Sequence, residues 1–234
     1  MNTYDFKVDG ADHAIPCAVW LPANSRPRGL VLVGHGGSRH KRSDSVCSLA
    51  QRLAGQLSFA IVSMDGPIHG ERSVNPSLTP KEMQRDFLQL WKVGDGHVAS
   101  MVKDWRAVIR KLLASPEIGD VPVGYAGVSM GTAYGLPLIA AEPLIRAASV
   151  GMWSANYACG DRLLQAAANV LCPVQFIARY EDEIFDWAGT KDLFDKIAHP
   201  DKRMLVLPGK HVESEEQFDQ MASFLNWRLG SSDL

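Results

Sequence analysis

Residues 123–132 read Val123-Gly-Tyr-Ala-Gly-Val-Ser-Met-Gly-Thr132 and decide the fold prediction. A short apolar run ends at Gly127, and the segment after Ser129 has the composition of a helix. The pattern Gly-x-Ser-x-Gly between a strand and a helix is typical of a sharp turn that presents a serine nucleophile above a sheet. Glycines at the second position on either side of the serine let the two backbones approach closely. The alternative is a glycine-rich turn whose serine has no special role.

The pattern of strands and helices around this turn predicts an α/β protein. Continuous apolar runs, typical of strands buried on both faces, alternate with segments of helical periodicity. Strands are expected at 29–34, 59–64, 121–127, 146–152, 173–178 and 202–207, after an antiparallel pair at 3–8 and 14–21. Helices are expected at 43–56, 97–114, 130–142, 187–198 and 214–228. The sequence therefore predicts a mostly parallel twisted sheet of about eight strands, with an antiparallel entry and helices on both faces.

The chain of 234 residues shows no linker and no internal repeat, so we expect a single domain over residues 1–234. Residues 73–96 are irregular, because prolines and glycines interrupt them, and only 80–92 has the pattern of a short helix. This insertion is the candidate for a short cap over a site.

Composition narrows the class of protein. A net charge of −2 does not indicate the excess of positive charge that is typical of nucleic-acid-binding proteins. The basic cluster Arg39–Arg42 is interpreted as a solvated helix start, with an acid- or phosphate-binding role as the alternative. No segment resembles a signal peptide or approaches the roughly 18 apolar residues of a membrane span. Four scattered cysteines favour free thiols in a reducing cytoplasm.

A serine nucleophile needs a base within hydrogen-bond reach, which is almost always a histidine. The chain has seven histidines. Chemistry in open α/β sheets occurs at the carboxyl ends of the strands, and His211 follows the last predicted strand, just before the final helix. His199 precedes that strand and belongs at the opposite edge of the sheet. His211 is therefore the predicted base.

The base needs a carboxylate to fix its tautomer. The strand 173–178 leads into a loop with four acids, at positions 181, 182, 183 and 186. This loop lies between Ser129 and His211 in chain order, as the Ser…Asp…His sequence order of such folds requires. The residues alone leave the choice among these acids open.

Together these motifs resemble the α/β-hydrolase superfamily, in particular dienelactone-hydrolase-like proteins and small serine carboxylesterases, over residues 14–228. The family's acid loop commonly reads Asp-x-x-Val-Pro, which Asp182-Glu-Ile-Phe-Asp186 matches except at its last two positions. The resemblance assigns the acid to Asp182, with Glu181 or Glu183 as alternatives.

The resemblance also implies an oxyanion hole, a pair of N–H donors for the negative charge of the intermediate. One donor is the N–H of Met130, directly after the serine. His35-Gly-Gly-Ser38 resembles the family's His-Gly-x motif, which makes Gly37 the second donor. His69-Gly-Glu-Arg72 resembles a His-Gly-x-Arg stretch of many relatives and is expected to order the loop through ion pairs of Glu71 or Arg72.

The implied activity is hydrolysis of small acyl esters through an acyl-enzyme, without a metal or other cofactor. Dienelactone hydrolases proper use a cysteine nucleophile, so the serine here favours ordinary esters. Further predicted substrate contacts are His35, His69 and Trp153, with the apolar residues of 83–91 as additional candidates. Thioesterase, amidase or peptidase-like activity and non-catalytic ligand binding remain the alternatives. The expected partner is a small-molecule ester, not nucleic acid or a membrane. The sequence does not decide between a monomer and a homodimer.

Overall fold

A computed structural model describes residues 1–230, in which eight strands form one sheet. Residues 231–234, the end of the expected single domain, lie outside the described residues. The strands are β1 Asn2–Asp9, β2 Ala14–Leu21, β3 Leu30–Gly34, β4 Ala60–Met64, β5 Val123–Val128, β6 Ile145–Gly151, β7 Val174–Arg179 and β8 Lys202–Leu207. Their order is β1-β2-β4-β3-β5-β6-β7-β8. The pairs β1–β2 and β2–β4 are antiparallel and the rest are parallel, so the predicted mostly parallel sheet with an antiparallel entry is confirmed.

Helices follow most of the parallel strands. They are α1 Asp44–Ala50, α2 Pro80–Trp91, α3 Gly96–Leu113, α4 Met130–Ala141, α5 Gly160–Ala167, α6 Trp187–Lys196 and α7 Glu215–Gly230. A π-helical turn, Gln51–Gln56, continues α1, and a 3-10 turn covers Gly70–Arg72. The short helix expected within 73–96 is α2, which begins with a capping box between Thr79 and Glu82. Helix α5 was not predicted, and its buried face is small, with only Gly160, Leu163 and Ala167.

The sheet is covered on both faces, as its apolar strands require. Leu30 and Leu32 of β3 belong to the larger cluster of buried side chains, which also contains residues of α2 to α6. Val31 and Val33 point the other way, into a second cluster with residues of α1 and α7. This alternation follows from the two-residue period of a strand.

The carboxyl ends of the parallel strands meet at one edge of the sheet, where the loops after β3, β5, β7 and β8 begin. Four of the predicted site residues lie in or directly beside these loops. None of the helices within residues 1–230 is both long and apolar enough to cross a membrane.

Candidate active site

Ser129 occupies the turn between β5 and α4 with a strained backbone. Its φ of 57° and ψ of −121° lie outside the regions that L-residues usually adopt. Such conformations cost about 1–3 kcal/mol and persist only where surrounding contacts impose them. One such contact is the Ser129 N–H, which donates to the Gly151 carbonyl at 3.0 Å, at the end of the neighbouring strand β6.

The two glycines that flank the serine are required by the close approach of β3. A Cβ atom at position 131 would lie 2.7 Å from the carbonyl oxygen of Gly34, and one at position 127 would lie 3.0 Å from the same atom. Real side chains hardly ever pack this closely against a backbone oxygen. The sharp turn therefore depends on glycine at both positions.

Thr132 links this turn to β6 from the first turn of α4. Its hydroxyl accepts from the Gly151 N–H at 2.7 Å, and the same oxygen lies 2.5 Å from the Gly151 carbonyl. It is also 3.1 Å from the Gly127 carbonyl, and the residue is fully buried. Thr132 thus adds side-chain hydrogen bonds between the first turn of α4 and the ends of β5 and β6.

His211 brings its ring between the serine and an acid of the loop after β7. The ring Nε2 lies 3.0 Å from Ser129 Oγ, and Nδ1 lies 2.8 Å from Asp182 Oδ2. Because an ionised carboxylate only accepts, Nδ1 carries a proton and donates it to Asp182. In the neutral ring Nε2 is then free to accept the serine hydroxyl.

Several contacts fix the loop that carries His211. Gly209, two residues after the end of β8, adopts a φ of +95°, which favours glycine. The Arg179 guanidinium donates to the Pro208 carbonyl at 3.0 Å and to Gln217 Oε1 at 2.7 Å. These bonds connect the end of β7 to the loop after β8 and to helix α7, so the two loops that supply acid and base are held together.

Asp182 is held on both of its oxygens. Oδ1 accepts from the backbone N–H groups of Ile184 and Phe185 at 2.9 and 3.0 Å, and Oδ2 faces His211. Burial by itself would raise the pKa of Asp182, but the hydrogen bonds and the charge interaction with His211, together with the two backbone bonds, lower it. The carboxylate therefore stays ionised beside the imidazole.

The other acids of this loop have different partners. Glu183 accepts from the backbone N–H of His211 at 2.8 Å and makes no contact with its ring. Glu181 is exposed. Asp186 accepts from the N–H of Gly189 and thereby caps α6, while its second oxygen accepts from Ser154 Oγ at 2.7 Å. Only Asp182, among the four, contacts the ring of His211.

Gly37 and Met130, the predicted oxyanion donors, both lie next to Ser129, one in the wall of its cavity and one directly after it in the chain. Gly37 lines the same cavity as the serine, and Met130 is the first residue of α4. Neither N–H donates to an acceptor within residues 1–230. Two free N–H groups next to a nucleophile are what stabilisation of a developing negative charge requires.

His35 and His69 contact the backbone of the loops that follow β3 and β4 and so help to fix the position of Gly37. The ring of His69 is fully buried, with Nε2 2.9 Å from the Gly37 carbonyl and Nδ1 2.7 Å from the Pro67 carbonyl. His35 Nε2 accepts from the Gly66 N–H at 2.9 Å. Burial and the neighbouring His69 lower the pKa of His35, so its ring is neutral. Neither histidine lines the cavity at Ser129.

Ion pairs lie beneath the same loop, where the sequence predicted them for Glu71 and Arg72. Lys41 contacts Asp65 at 3.0 Å and Glu71 at 2.6 Å, and Arg72 contacts Asp104 at 2.9 Å. The Asp65 side chain is completely buried, and the Lys41 side chain is only 7% exposed. The Lys41 N–H also donates to Asp65, at 2.9 Å. The pair thus connects the segment after Gly37 to the end of β4.

The substitution Lys41→Met is expected to lower the free energy of unfolding by about 3 kcal/mol, because it leaves the Asp65 carboxylate buried without its cation. Urea denaturation followed by tryptophan fluorescence measures this change. Lys7→Met is the matched control, since Lys7 also pairs with Glu71, at 3.1 Å, but its side chain is 62% exposed. An exposed pair contributes about 0–1 kcal/mol. Equal losses for the two variants would contradict a role for the buried pair.

A cavity of about 270 Å³ opens at Ser129. It is lined by residues of five loops, of the end of β5 and of α2, namely Gly36, Gly37, Ser38, Arg39, Gln84, Val128, Ser129, Met152, Glu183, Ile184, His211, Val212 and Glu213. A second, narrow cavity also borders Ser129 and is lined by Gly37, Gln84, Phe87, Leu88, Ser129, Trp153, Ile184 and Phe185. The predicted contact Trp153 is therefore placed in the wall of the narrow cavity, where it is fully buried.

Sequence reasoning missed several residues that shape this site. Gln84 and Ile184 line both cavities, and Glu213 lines the wider one. Thr132 follows the Gly-x-Ser-x-Gly pattern directly, so its position beside the turn was a signal that could have been used. Gln84 and Ile184 carried no such signal, because only the packing of α2 against the loop after β7 brings them to Ser129.

Comparisons with known proteins identify the family. No protein-family model and no curated protein matches the chain. A cold-adapted esterase from an Arctic intertidal metagenomic library is 32% identical, with 97% of this chain and 94% of that chain covered and a TM-score of 0.84. A dienelactone hydrolase from Anabaena variabilis shares the fold at 19% identity, with coverage of 97% and 98% and a TM-score of 0.69. An esterase from Pyrococcus furiosus does so at 16% identity, with coverage of 98% and 94% and a TM-score of 0.73. The chain therefore belongs to the same family as the 32% identical esterase, has the α/β-hydrolase fold and is a carboxylic ester hydrolase.

Proposed function

We propose that this enzyme hydrolyses small acyl esters through an acyl-enzyme on Ser129, with His211 as base and Asp182 as its partner. The observation that carries the proposal is the position of the His211 ring, 3.0 Å from Ser129 Oγ and 2.8 Å from Asp182 Oδ2, at the mouth of a cavity of about 270 Å³. A base oriented in this way by a carboxylate is the arrangement that activates a serine hydroxyl.

The first half-reaction forms the acyl-enzyme. Ser129 Oγ bonds to the ester carbonyl carbon while its proton moves to His211 Nε2. The carbonyl π-electrons move onto the oxygen, and the Gly37 and Met130 N–H groups stabilise that charge. When the intermediate collapses, the bond to the alcohol oxygen breaks, and the leaving alcohol takes the proton from His211. Asp182 stabilises the transient imidazolium.

The second half-reaction releases the acid. A water molecule enters from the wide cavity, gives a proton to His211 Nε2 and bonds to the acyl carbon. The same N–H groups stabilise the second intermediate. Its collapse breaks the bond to Ser129 Oγ, which takes the proton back, and the carboxylic acid leaves.

We further propose that the chain is one domain in which residues 73–96 form a short cap. The sheet spans residues 2–207 without interruption by a second sheet in the described chain. Helix α2, within 73–96, contributes Gln84, Phe87 and Leu88 to the cavity walls. The insertion thus covers one side of the nucleophile.

A fluorophosphonate probe tests the proposed nucleophile. We expect intact-mass analysis to detect one phosphonyl adduct on the wild type and none on Ser129→Ala, which also loses hydrolysis of p-nitrophenyl acetate. Ser25→Ala is the matched control, because Ser25 is exposed and does not line either cavity. Equal labelling of Ser129→Ala and the wild type would rule the proposal out. Labelling without turnover of any ester would instead indicate a thioester or an amide substrate.

A further inference from the structure

Two cavities of very different size meet at Ser129. The wide one has a volume of about 270 Å³ and the narrow one about 10 Å³. Both are bordered by Gly37, Gln84, Ser129 and Ile184, whereas the ring of His211 borders only the wide one. An ester bound at Ser129 would place its two halves on these two sides.

The position of His211 decides which half lies on which side. In the proposed mechanism this ring gives its proton to the leaving alcohol oxygen, so that oxygen must lie next to Nε2. The alcohol therefore occupies the wide cavity, which His211 lines. The acyl chain, on the other side of the carbonyl carbon, extends into the narrow cavity.

The narrow cavity has room for very little. A volume of 10–15 Å³ on this scale is about what one water molecule needs. Of its walls, Phe87, Trp153 and Phe185 are each at most 4% exposed. The ring of Phe87 lies 6.2 Å from that of Trp153, which in turn lies 4.6 Å from that of Phe185.

Other residues pack tightly against the side chains that line the narrow cavity, so widening it would cost packing energy. Trp91 packs edge-on against Trp153 at 5.4 Å, and its indole N–H donates to the Ala158 carbonyl at 2.9 Å. Phe87 also packs on the oxyanion loop, since a Cβ at Gly37 would lie 2.8 Å from its ring. Enlarging the cavity would disturb a close-packed interior, which costs energy for each added methylene.

We propose that the enzyme is selective for acetyl esters, with Phe87 and Leu88 of α2 as the residues that limit the length of the acyl chain. The methyl of an acetyl group matches the space beside Ser129, whereas a butyryl chain adds two methylenes that have no room. This inference rests on the proposed function, because it assigns the two cavities from the proton transfer by His211. The wide, solvent-open side imposes no comparable limit on the alcohol.

The test is a series of p-nitrophenyl acetate, propionate, butyrate and hexanoate with the wild type, Leu88→Ala and Phe87→Ala. A single methylene changes kcat/KM by about 10- to 200-fold where a pocket discriminates by size. We expect wild-type kcat/KM to fall at least about 10-fold from acetate to butyrate. Both variants should raise the butyrate-to-acetate ratio by at least about 10-fold.

The butyrate-to-acetate ratio of kcat/KM is the quantity to compare, rather than either rate alone. Phe87→Ala also removes packing against Gly37, which would lower the rates for all esters together and leave this ratio unchanged. Leu88 is only half-buried, so Leu88→Ala keeps the test available if Phe87→Ala fails to fold. Leu164→Ala is the matched control: this half-buried leucine of α5 lines neither cavity, and its ratio should equal that of the wild type.

Two results would overturn the inference in distinguishable ways. If the fluorophosphonate labels Ser129 but butyrate or hexanoate reacts as fast as acetate, acetyl selectivity is wrong and the proposed function stands. The same holds if the butyrate-to-acetate ratio of Leu88→Ala equals that of the wild type. If Ser129 is not labelled and no ester is hydrolysed, both the proposed function and the selectivity fall.

Discussion

His211→Ala is expected to lower kcat for p-nitrophenyl acetate on the order of 10⁶-fold, the loss typical of removing the base of such a triad. The ring makes the contact with Ser129 Oγ at 3.0 Å and the contact with Asp182 at 2.8 Å, so no proton acceptor remains at the serine without it. Initial rates, corrected for the number of active sites and for spontaneous hydrolysis, measure this loss.

The double variant Ser129→Ala/His211→Ala gives a sharper result. Because the two residues act as one unit, we expect its residual activity to equal that of either single variant. His199→Ala is the matched control: its ring Nδ1 accepts from the Asp201 N–H at 3.1 Å, before β8 and away from the cavity. A His211→Ala enzyme that keeps more than about 1% of wild-type kcat would mean that another group is the base.

The parts of the site that sequence predicted are those fixed by local geometry. The turn at Ser129 needs glycines at 127 and 131 because Gly34 approaches so closely, and that requirement is visible in the pattern Gly-x-Ser-x-Gly. The position of His211 followed from its place after the last strand, since the carboxyl ends of parallel strands share an edge. The fold followed similarly from long apolar runs alternating with helical periodicity.

The parts that sequence did not predict depend on contacts between distant segments. The buried ring of His69 was expected near substrate, yet its nitrogens contact the Gly37 and Pro67 carbonyls. Two positions of the family's acid-loop motif differ here, and the structure gives a reason at Asp186, which caps α6 and binds Ser154. Helix α5 escaped prediction because it has only eight residues, about two turns, which is too short for the apolar spacing of a helix to repeat.

Asp182→Asn is expected to lower kcat about 10⁴-fold while the protein stays folded. In the wild type, Asp182 Oδ1 accepts from the Ile184 and Phe185 N–H groups at 2.9 and 3.0 Å. The asparagine oxygen can still accept both of these hydrogen bonds. Its amide nitrogen then replaces Oδ2 and faces His211 Nδ1 as a donor. The ring must place its proton on Nε2 to accept there, and a protonated Nε2 cannot take the proton of Ser129.

Two variants of the same loop separate this effect from general damage to the loop. Glu183→Gln should change kcat less than about 10-fold, because Glu183 contacts the backbone N–H of His211 rather than its ring. Asp186→Ala should lower the free energy of unfolding by about 1 kcal/mol, because it removes the side chain that caps α6. It should change kcat less than about 10-fold, because Asp186 does not contact the ring of His211. A larger loss of kcat for Glu183→Gln than for Asp182→Asn would instead assign the acid to Glu183. The comparison therefore tests the choice that the sequence alone left open among four neighbouring carboxylates.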